Sequence, residues 1–471
     1  MNTDPTPPTH TRPHREVPLN RQILRLAVPN LISNVTVPLL GAIDLAMMGR
    51  MNSLTAMGAI SLGAMIFNFI YWALGFLRMG TCGFTAQAYG AGRMDECVLT
   101  LFRGLAIALA GGLLLWALQT PILRIALSAA APEAELAEAT ARYFRIRIWA
   151  APASIAAFAF AGWFIGLQDS KTPMWVAIFV NLANIGFNYL FVFVFHYGSD
   201  GVALGTVLAQ YTGLLLYIGF AVRQLSFSKF AFRPRHDVRG VGPARSAGPE
   251  RSPLSYPILW RTVADVKALR RFLNVNSDIF LRTLLLIAVF AFFTARSTRF
   301  GSEFLVLNTL LYQFFIFYSY AMDGFAHAAE ALCGKFTGSG EKREKRRTVR
   351  QVFLWGLGIG LTFTLGYGFG FDGIMRIFTD DAQILGLSRQ YFFWIPLITL
   401  LGFPAFLWDG VYAGSLATKA MLLTMAFSVL GFFALFYGFC PLLQNHAMWL
   451  AMTGFLCLRG ISMGIGSKRV M

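Results

Sequence analysis

Apolar runs of about twenty or more residues recur along the whole chain, separated by short stretches of Gly, Pro and charged residues. Each run is long enough to cross the ~30 Å hydrocarbon core of a bilayer. Backbone polar groups in lipid must be paired within their own segment, so the runs are predicted to be helices. The predicted helices are near 21–48, 54–80, 98–122, 142–166, 173–196, 201–224, 271–296, 303–333, 349–372, 386–412, 417–440 and 446–465.

Two pairs of segments indicate that the second half of the chain repeats the first. GTCGFTAQAYGAG at 80–92, after the predicted second helix, is echoed by GFAHAAEALCGKFTG at 324–338, after the eighth. In the fourth and tenth helices, residues 143–144 and 162–166 correspond to 391–392 and 410–414 at an offset of 248. The pattern predicts an all-α membrane protein with twelve transmembrane helices in two pseudo-symmetric six-helix bundles.

The repeat and a polar stretch between the two halves predict the domain organisation. Each half has an even number of spans, so both enter the membrane in the same sense and face each other across a cleft, an architecture typical of transporters. The predicted regions are an N-terminal tail (1–20), an N-lobe (21–224), a basic linker (225–270), a C-lobe (271–465) and a C-terminal tail (466–471).

Composition and charge support a membrane class. Of the 471 residues, 56% are hydrophobic and 13% charged, against roughly 25% charged in soluble domains. The net charge of +17 does not indicate nucleic-acid binding, because most of the 40 Lys and Arg lie in loops on the side of the N-terminus. By the positive-inside rule, both termini are predicted to be cytoplasmic, in a multi-pass protein of the bacterial inner membrane.

The Cys and His residues carry no sign of a metal centre. The five Cys include no CxxC pair and the six His are dispersed, so neither a metal nor a cofactor is predicted. The sequence also lacks HExxH and paired-carboxylate signatures, which argues against a membrane enzyme.

Asp44 is the first candidate for ion coupling. It lies about twenty residues into the first predicted helix, with no Lys or Arg one turn away. A carboxylate removed from water is costly at membrane depth, so it is expected to take up a proton and to release it when the site becomes wet or a cation arrives. The alternative is a solvated carboxylate near the outer surface, since the helix ends soon after it.

Pro29, fifteen residues before Asp44, is a candidate hinge. Inside a helix it removes one backbone hydrogen bond and permits a kink that would move Asp44. The alternative is a Pro in the first turn of the helix, where it costs little.

The fifth helix carries Asn181, Asn184 and Asn188, of which the last two lie on one face, four residues apart. Such a face suits a polar cavity. Structural hydrogen bonding between helices is the alternative.

Other polar residues at membrane depth are secondary candidates. Arg78 and Asp323 occupy corresponding places in the two halves, and Asp409 lies well inside the tenth helix. Asp278 and Arg282 are expected to pair with each other at i, i+4. The candidates for the substrate cavity are Asn34, Met47, Met65, Phe67 and Tyr71.

The sequence resembles the multidrug and toxic compound extrusion (MATE) transporters, and within them the DinF-like branch. The similar stretches are LAVPNLISNVTVPLLGAIDLAMMGRM, FNFIYWALGFLRMGTCGFTAQAYGAG, GLQDSKTP, NLANIGFNYLF, GVALGTVLAQ, NVNSDIFLRT, MDGFAHAAEALCG and LWDGVYAG. They cover about 25 to 420, nearly all of the membrane domain.

The resemblance implies export of cationic or amphipathic compounds in exchange for protons or sodium, with the coupling apparatus in the N-lobe. The family's first-helix proline and aspartate look like Pro29 and Asp44. Its fourth-helix tyrosine and sixth-helix threonine resemble Tyr143 and Thr206, and its fifth-helix pair resembles Asn184 and Asn188. Some archaeal relatives have an aspartate at the position of Asn188. Because the N-lobe here has only one such carboxylate, Asp44, this difference favours protons as the coupling ion, and sodium is the alternative.

The sequence therefore predicts an antiporter that exports cationic or amphipathic small molecules by alternating access, with protonation of Asp44 as the coupling step. A monomer contains both lobes and is expected to suffice. The alternative from another class is a lipid-linked saccharide flippase, which would need several Arg in the cavity, where only Arg78 and Arg282 are evident.

Overall fold

The computed structural model describes residues 18–49, 53–231 and 265–471, with side chains throughout except at 37–46, 48, 227–231 and 469. The regular structure in these ranges is helical. The α-helices are α1 (Leu19–Gly49), α2 (Leu54–Leu74), α3 (Phe76–Gly90), α4 (Met94–Ala117), α5 (Gln119–Ala130), α6 (Ala134–Arg147), α7 (Ala151–Gly166), α8 (Lys171–Tyr189), α9 (Gly198–Ala231), α10 (Val266–Ser297), α11 (Ser302–Ser339), α12 (Lys342–Phe378), α13 (Ala382–Tyr391), α14 (Trp394–Gly414), α15 (Thr418–Leu443) and α16 (Asn445–Gly466).

Within the described residues, eleven segments are long and apolar enough to cross a membrane. Helices α2 and α3 form one span, Leu54–Gly90, and α6 and α7 form another, Ala134–Gly166. Helix α1, part of whose side chains is not described, has 31 residues and is about 46 Å long, enough for the twelfth span. The chain is an all-helical membrane protein, as predicted; we call α1–α9 the N-terminal half and α10–α16 the C-terminal half.

Two helix ends that were predicted at Gly-rich segments lie further along the chain. The second and eighth spans do not end near 80 and 333 but continue to Gly90 and Ser339, so the Gly-rich segments lie inside helices. The reason is that their small residues form packing surfaces: a Cβ at Gly83 would lie 2.7 Å from the carbonyl oxygen of Ala413. The short helices α5 and α13, which join spans, were not predicted as separate elements.

The duplication is confirmed by contacts between helices. Helix α7 packs on α3 as α14 packs on α11, with glycines so close to a neighbouring carbonyl that a Cβ would clash. The matching contacts, each shifted by 248 residues, are Gly162 on Arg78 and Gly410 on Ala326, then Gly166 on Cys82 and Gly414 on Glu330.

The two halves meet where α3 and α11 cross near their C-terminal ends. Gly90 lies against the backbone of Lys335, and Gly338 lies against the backbone of Gln87. These positions again differ by 248, so the contact is reciprocal about a pseudo-twofold axis. We call these reciprocal contacts the glycine crossing.

A buried polar network holds the opposite end of the C-terminal half. Asn308 of α11 donates to Ser297 Oγ (2.9 Å) and to Asn445 Oδ1 (2.8 Å), and it accepts from Trp449 Nε1 (2.9 Å). Asn308 is 1% exposed. One side chain thus connects α10, α11 and α16.

Candidate transport site

A cavity of about 480 Å³ lies between the two halves. In both α3 and α11, the cavity-lining residues come before the crossing residues Gly90 and Gly338. The cavity therefore lies on the N-terminal side of the glycine crossing along both helices. Both halves contribute aromatic and ionisable side chains to its wall. The lining includes Asn34, Asn68, Tyr71, Trp72, Arg78, Arg282, Phe290, Tyr312, Phe315, Asp323, His327, Glu330, Asp409 and Arg459.

The apolar part of the wall is aromatic and bridges the two halves. Trp72 of α2 stacks on Phe290 of α10, with ring centroids 5.5 Å apart. Phe290 in turn contacts Tyr312 and Phe315 of α11 at 5.6 and 5.9 Å. Such rings offer adaptable contact to flat or cationic organic molecules.

The ionisable part of the wall belongs mainly to the C-terminal half. Arg282 of α10 and Arg459 of α16 both donate to Oδ2 of Asp409 on α14. All three are less than 8% exposed. The expected pairing of Asp278 with Arg282 is wrong: Arg282 reaches across to Asp409, and Asp278 accepts a hydrogen bond from Thr418 Oγ1 at 2.8 Å.

A second charged group crosses between the halves. Arg78 of α3 lies 3.6 Å from Oε2 of Glu330 on α11, and His327 Nδ1 lies 3.7 Å from the same oxygen. Both separations are too long for hydrogen bonds. Glu330 is fully buried, so its charge depends on Arg78 for compensation. Asp323, one turn before His327, faces the same cavity and interacts electrostatically with Arg78 and Arg282.

The N-terminal half holds a buried chain of polar side chains between α8 and α9. Asn188 Nδ2 donates to Asn184 Oδ1 (2.9 Å), and Asn184 Nδ2 donates to Thr206 Oγ1 (3.0 Å). Thr206 donates onward to the carbonyl of Val202 at 2.9 Å. The structure thus joins three of the predicted coupling residues in one hydrogen-bonded row.

Tyr143 lies near this row. It belongs to a cluster of buried hydrophobic residues that includes Val192, in the π-helical segment Leu190–Val194 after α8, and Val202 of α9. It is 1% exposed and accepts a hydrogen bond from Arg147 at 2.6 Å. The Arg147 guanidinium also lies over the ring of Phe67, 4.9 Å from its centroid.

The side chain of Asp44 lies outside the described residues, although its backbone belongs to α1. Helix α1 packs along α8, where Asn181 Nδ2 contacts the carbonyl of Thr36 at 3.4 Å. From that contact, Asp44 lies about 12 Å further along α1 and Asn188 about 10 Å further along α8 at 1.5 Å per residue. The two positions are therefore expected at one level.

Pro29 lies in the interior of α1, because the helix begins ten residues earlier at Leu19. The alternative of a first-turn proline is therefore wrong. Ser33 Oγ donates to the Pro29 carbonyl at 3.0 Å. The hinge role itself stays a prediction.

The predicted cavity residues are placed in different surroundings. Asn34 and Tyr71 line the cavity. Phe67 is fully buried and stacks on Phe144 at 4.9 Å, whereas Met65 is 49% exposed and Met47 is half-buried. Their substrate-contact roles stay predictions.

Sequence reasoning missed Arg459, the third arginine of the cavity. It lies fourteen residues into the last apolar run, and the rule applied to Asp44, that an ionisable residue at membrane depth is functional by default, would have found it.

Comparison with known proteins bears on the whole membrane domain. The MatE family model matches residues 29–190 and 279–437. The chain belongs to the MatE family. It is 34% identical to the DNA damage-inducible protein F of Escherichia coli (strain K12), over 94% of this chain and 91% of that protein. This MatE protein is a multi-pass secondary transporter, not an enzyme.

More distant relatives agree on the fold. The chain is 24% identical to a probable multidrug resistance protein NorM of Thermotoga maritima, over 80% of this chain and 76% of that one. A crystal structure of MATE in the bent conformation superposes with a TM-score of 0.80 at 16% identity, covering 96% and 95% of the two chains. At that identity the match supports the MATE fold alone.

Proposed function

We propose that this MatE protein is a proton-coupled antiporter that exports cationic or amphipathic organic compounds through the cavity between its halves. Asp44 is the proton-binding group, and Asn184, Asn188, Tyr143 and Thr206 form its polar surroundings. Sodium remains the alternative coupling ion. The working unit is a monomer in the bacterial inner membrane, with 21–224 and 271–465 as lobes and both termini in the cytoplasm.

The observation that supports this most is the buried row of Asn188, Asn184 and Thr206. Carboxamides inside a membrane protein need hydrogen-bond partners, and the members of this row provide them to one another. The row ends at Asn188, which is expected at the same level as Asp44. A carboxylate there would gain or lose hydrogen bonds from the row as it changes protonation. The binding of one proton to Asp44 would therefore change the hydrogen bonds of the row.

The cycle follows from charge. When the cavity is open on the side away from the glycine crossing, a proton binds Asp44. This neutralises the Asp44 site in the N-terminal half and weakens its hold on a cationic substrate. Hydrogen bonds in the row rearrange, and bending at Pro29 shifts the outer part of α1. The substrate leaves outward; the opposite state releases the proton and admits the next molecule.

The cavity wall suits amphipathic cargo. Tyr71, Trp72 and Phe290 provide flat apolar contact, and Asp323 faces the cavity with a carboxylate for a cationic group. The NorM relative is named for multidrug resistance, which favours varied organic substrates. No observation favours the saccharide flippase, because two of the three cavity arginines are held by Asp409.

The test is transport of a fluorescent organic cation into inverted vesicles under an imposed pH gradient. Asp44→Asn is expected to abolish gradient-driven transport with unchanged protein yield and thermal unfolding, whereas Asp372→Asn, an exposed acid paired with Arg389 at 2.9 Å, is expected to transport normally. Normal transport by Asp44→Asn would remove Asp44 from the mechanism. A sodium gradient that drives the wild type without a pH gradient would assign sodium instead.

A further inference from the structure

A second cavity, of about 490 Å³, lies outside the transport site, between the start of α10 and the start of α15. It is on the face of the molecule where the chain enters α10 after the 225–264 segment, the face predicted to be cytoplasmic. Its lining is strongly basic and includes Lys267, Arg270, Arg271 and Lys419. The transport mechanism uses none of these residues.

The four cations have little compensation. None of them makes an ion pair with a described residue, and Lys267, Arg270 and Lys419 are exposed. Arg271 lies over the ring of Phe84 at 5.6 Å. The acid in the lining, Asp278, accepts the hydrogen bond from Thr418. The formal charge of the lining is therefore three units positive.

The first residues of helix α15 also line this cavity. Helix α15 begins at Thr418 behind Ala417, which provides no side-chain cap, so the N–H groups of 418–420 lack an acceptor within the helix. All three residues line the cavity. Free N–H groups at the positive end of a helix, together with arginine and lysine, are the donor set that holds phosphate.

An apolar track continues from the basic cavity towards the membrane interior. Along α15, Leu423 and Leu430 follow Lys419 on the same helical face and are 61% and 70% exposed. Along α10, Leu281 follows Asn274 by seven residues and is 48% exposed. Helices α10 and α15 pack side by side, and these leucines lie on the exposed surface of the pair.

We propose that this cavity binds the phosphate of an anionic phospholipid, with the acyl chains along the seam between α10 and α15. A basic pocket between helices at the level of the headgroups matches the phosphate, and the exposed leucines match the chains. A free phosphate shares the headgroup chemistry but has nothing to place on the leucines.

The test is native mass spectrometry of the delipidated full chain titrated with phosphatidylglycerol, phosphatidylcholine or inorganic phosphate. The wild type is expected to prefer phosphatidylglycerol at least tenfold. The triple variant Lys267→Gln, Arg270→Gln, Lys419→Gln is expected to lose roughly 100-fold in affinity, from about fivefold per basic residue.

The matched control changes three exposed basic residues on the same face, at the start of α12: Lys342→Gln, Arg343→Gln, Arg346→Gln. It is expected to keep wild-type lipid binding. Thermal unfolding midpoints of both triple variants verify that they fold. Equal losses in both variants, or equal binding of the two lipids, would overturn the site. Inorganic phosphate that binds as tightly as the lipid and displaces it would overturn the lipid assignment.

Discussion

Replacing Gly338 by Ala is expected to force the two halves apart at the glycine crossing. A Cβ there would lie 2.7 Å from the carbonyl carbon of Gln87, whereas ordinary contact begins near 3.4 Å. The neighbour is helix backbone and cannot rotate away, and the carbonyl oxygen of Gln87 would lie closer still, so α3 and α11 must separate by more than about 0.7 Å. Overpacking of this kind costs about 1–3 kcal/mol, which disfavours the crossed conformation roughly 5- to 150-fold.

The pseudo-twofold relation makes this prediction stricter. Gly90 meets Lys335 at the same distance, so Gly90→Ala should have the same effect. Once the halves separate, both contacts are lost together; the double variant should therefore show less than the sum of the two effects. Gly366→Ala, at a helix position with nothing within 4 Å, gains the same helix propensity and serves as the control.

The assay is alkylation by a membrane-impermeant maleimide of Asn68→Cys, an exposed cavity position, in a chain whose five Cys have been replaced. Gly338→Ala should slow labelling in right-side-out vesicles and speed it in inverted ones. The reasoning is refuted if Gly338→Ala labels like Gly366→Ala in both orientations.

Two further variants test buried polar contacts by thermal unfolding in detergent. Glu330→Gln should lower the unfolding midpoint more than Arg78→Gln, because Arg78 left without Glu330 keeps its charge, whereas Glu330 left without Arg78 can take up a proton. The double variant should recover part of the loss caused by Glu330→Gln. A larger loss for Arg78→Gln than for Glu330→Gln would contradict this account. Asn308→Leu should cost about 2–5 kcal/mol, because it leaves Asn445 and Trp449 with unpaired buried groups, while the exposed Asn274→Leu should change the midpoint little.

The sequence predicted the class of fold well because the bilayer imposes it. Apolar length located the spans, and the 248-residue offset predicted a repeat, which is seen in contacts such as Gly162 on Arg78 and Gly410 on Ala326. The glycines themselves were misread: local propensity treats them as helix ends, whereas here they permit close packing of long helices. Nothing within a single helix distinguishes these two uses.

Side-chain partners were harder to predict than positions. The i, i+4 spacing correctly placed Asn184 and Asn188 together, because both ends of that contact lie on one helix. The same spacing failed for Asp278 and Arg282, because Arg282 finds a better-buried carboxylate on α14. Partners on different helices depend on helix rotation, which hydrophobic pattern fixes only coarsely.

The balance of charge in the transport cavity bears on the response to membrane voltage. Its three arginines and three acids cancel when all are ionised, and six of the seven ionisable residues, counting His327, move with the C-terminal half. Each unit of charge displaced across 100 mV is worth about 2.3 kcal/mol. The wall should thus add little net charge to the reorienting protein, leaving the protonation state of Asp44, the transported ion and the cargo to determine the current.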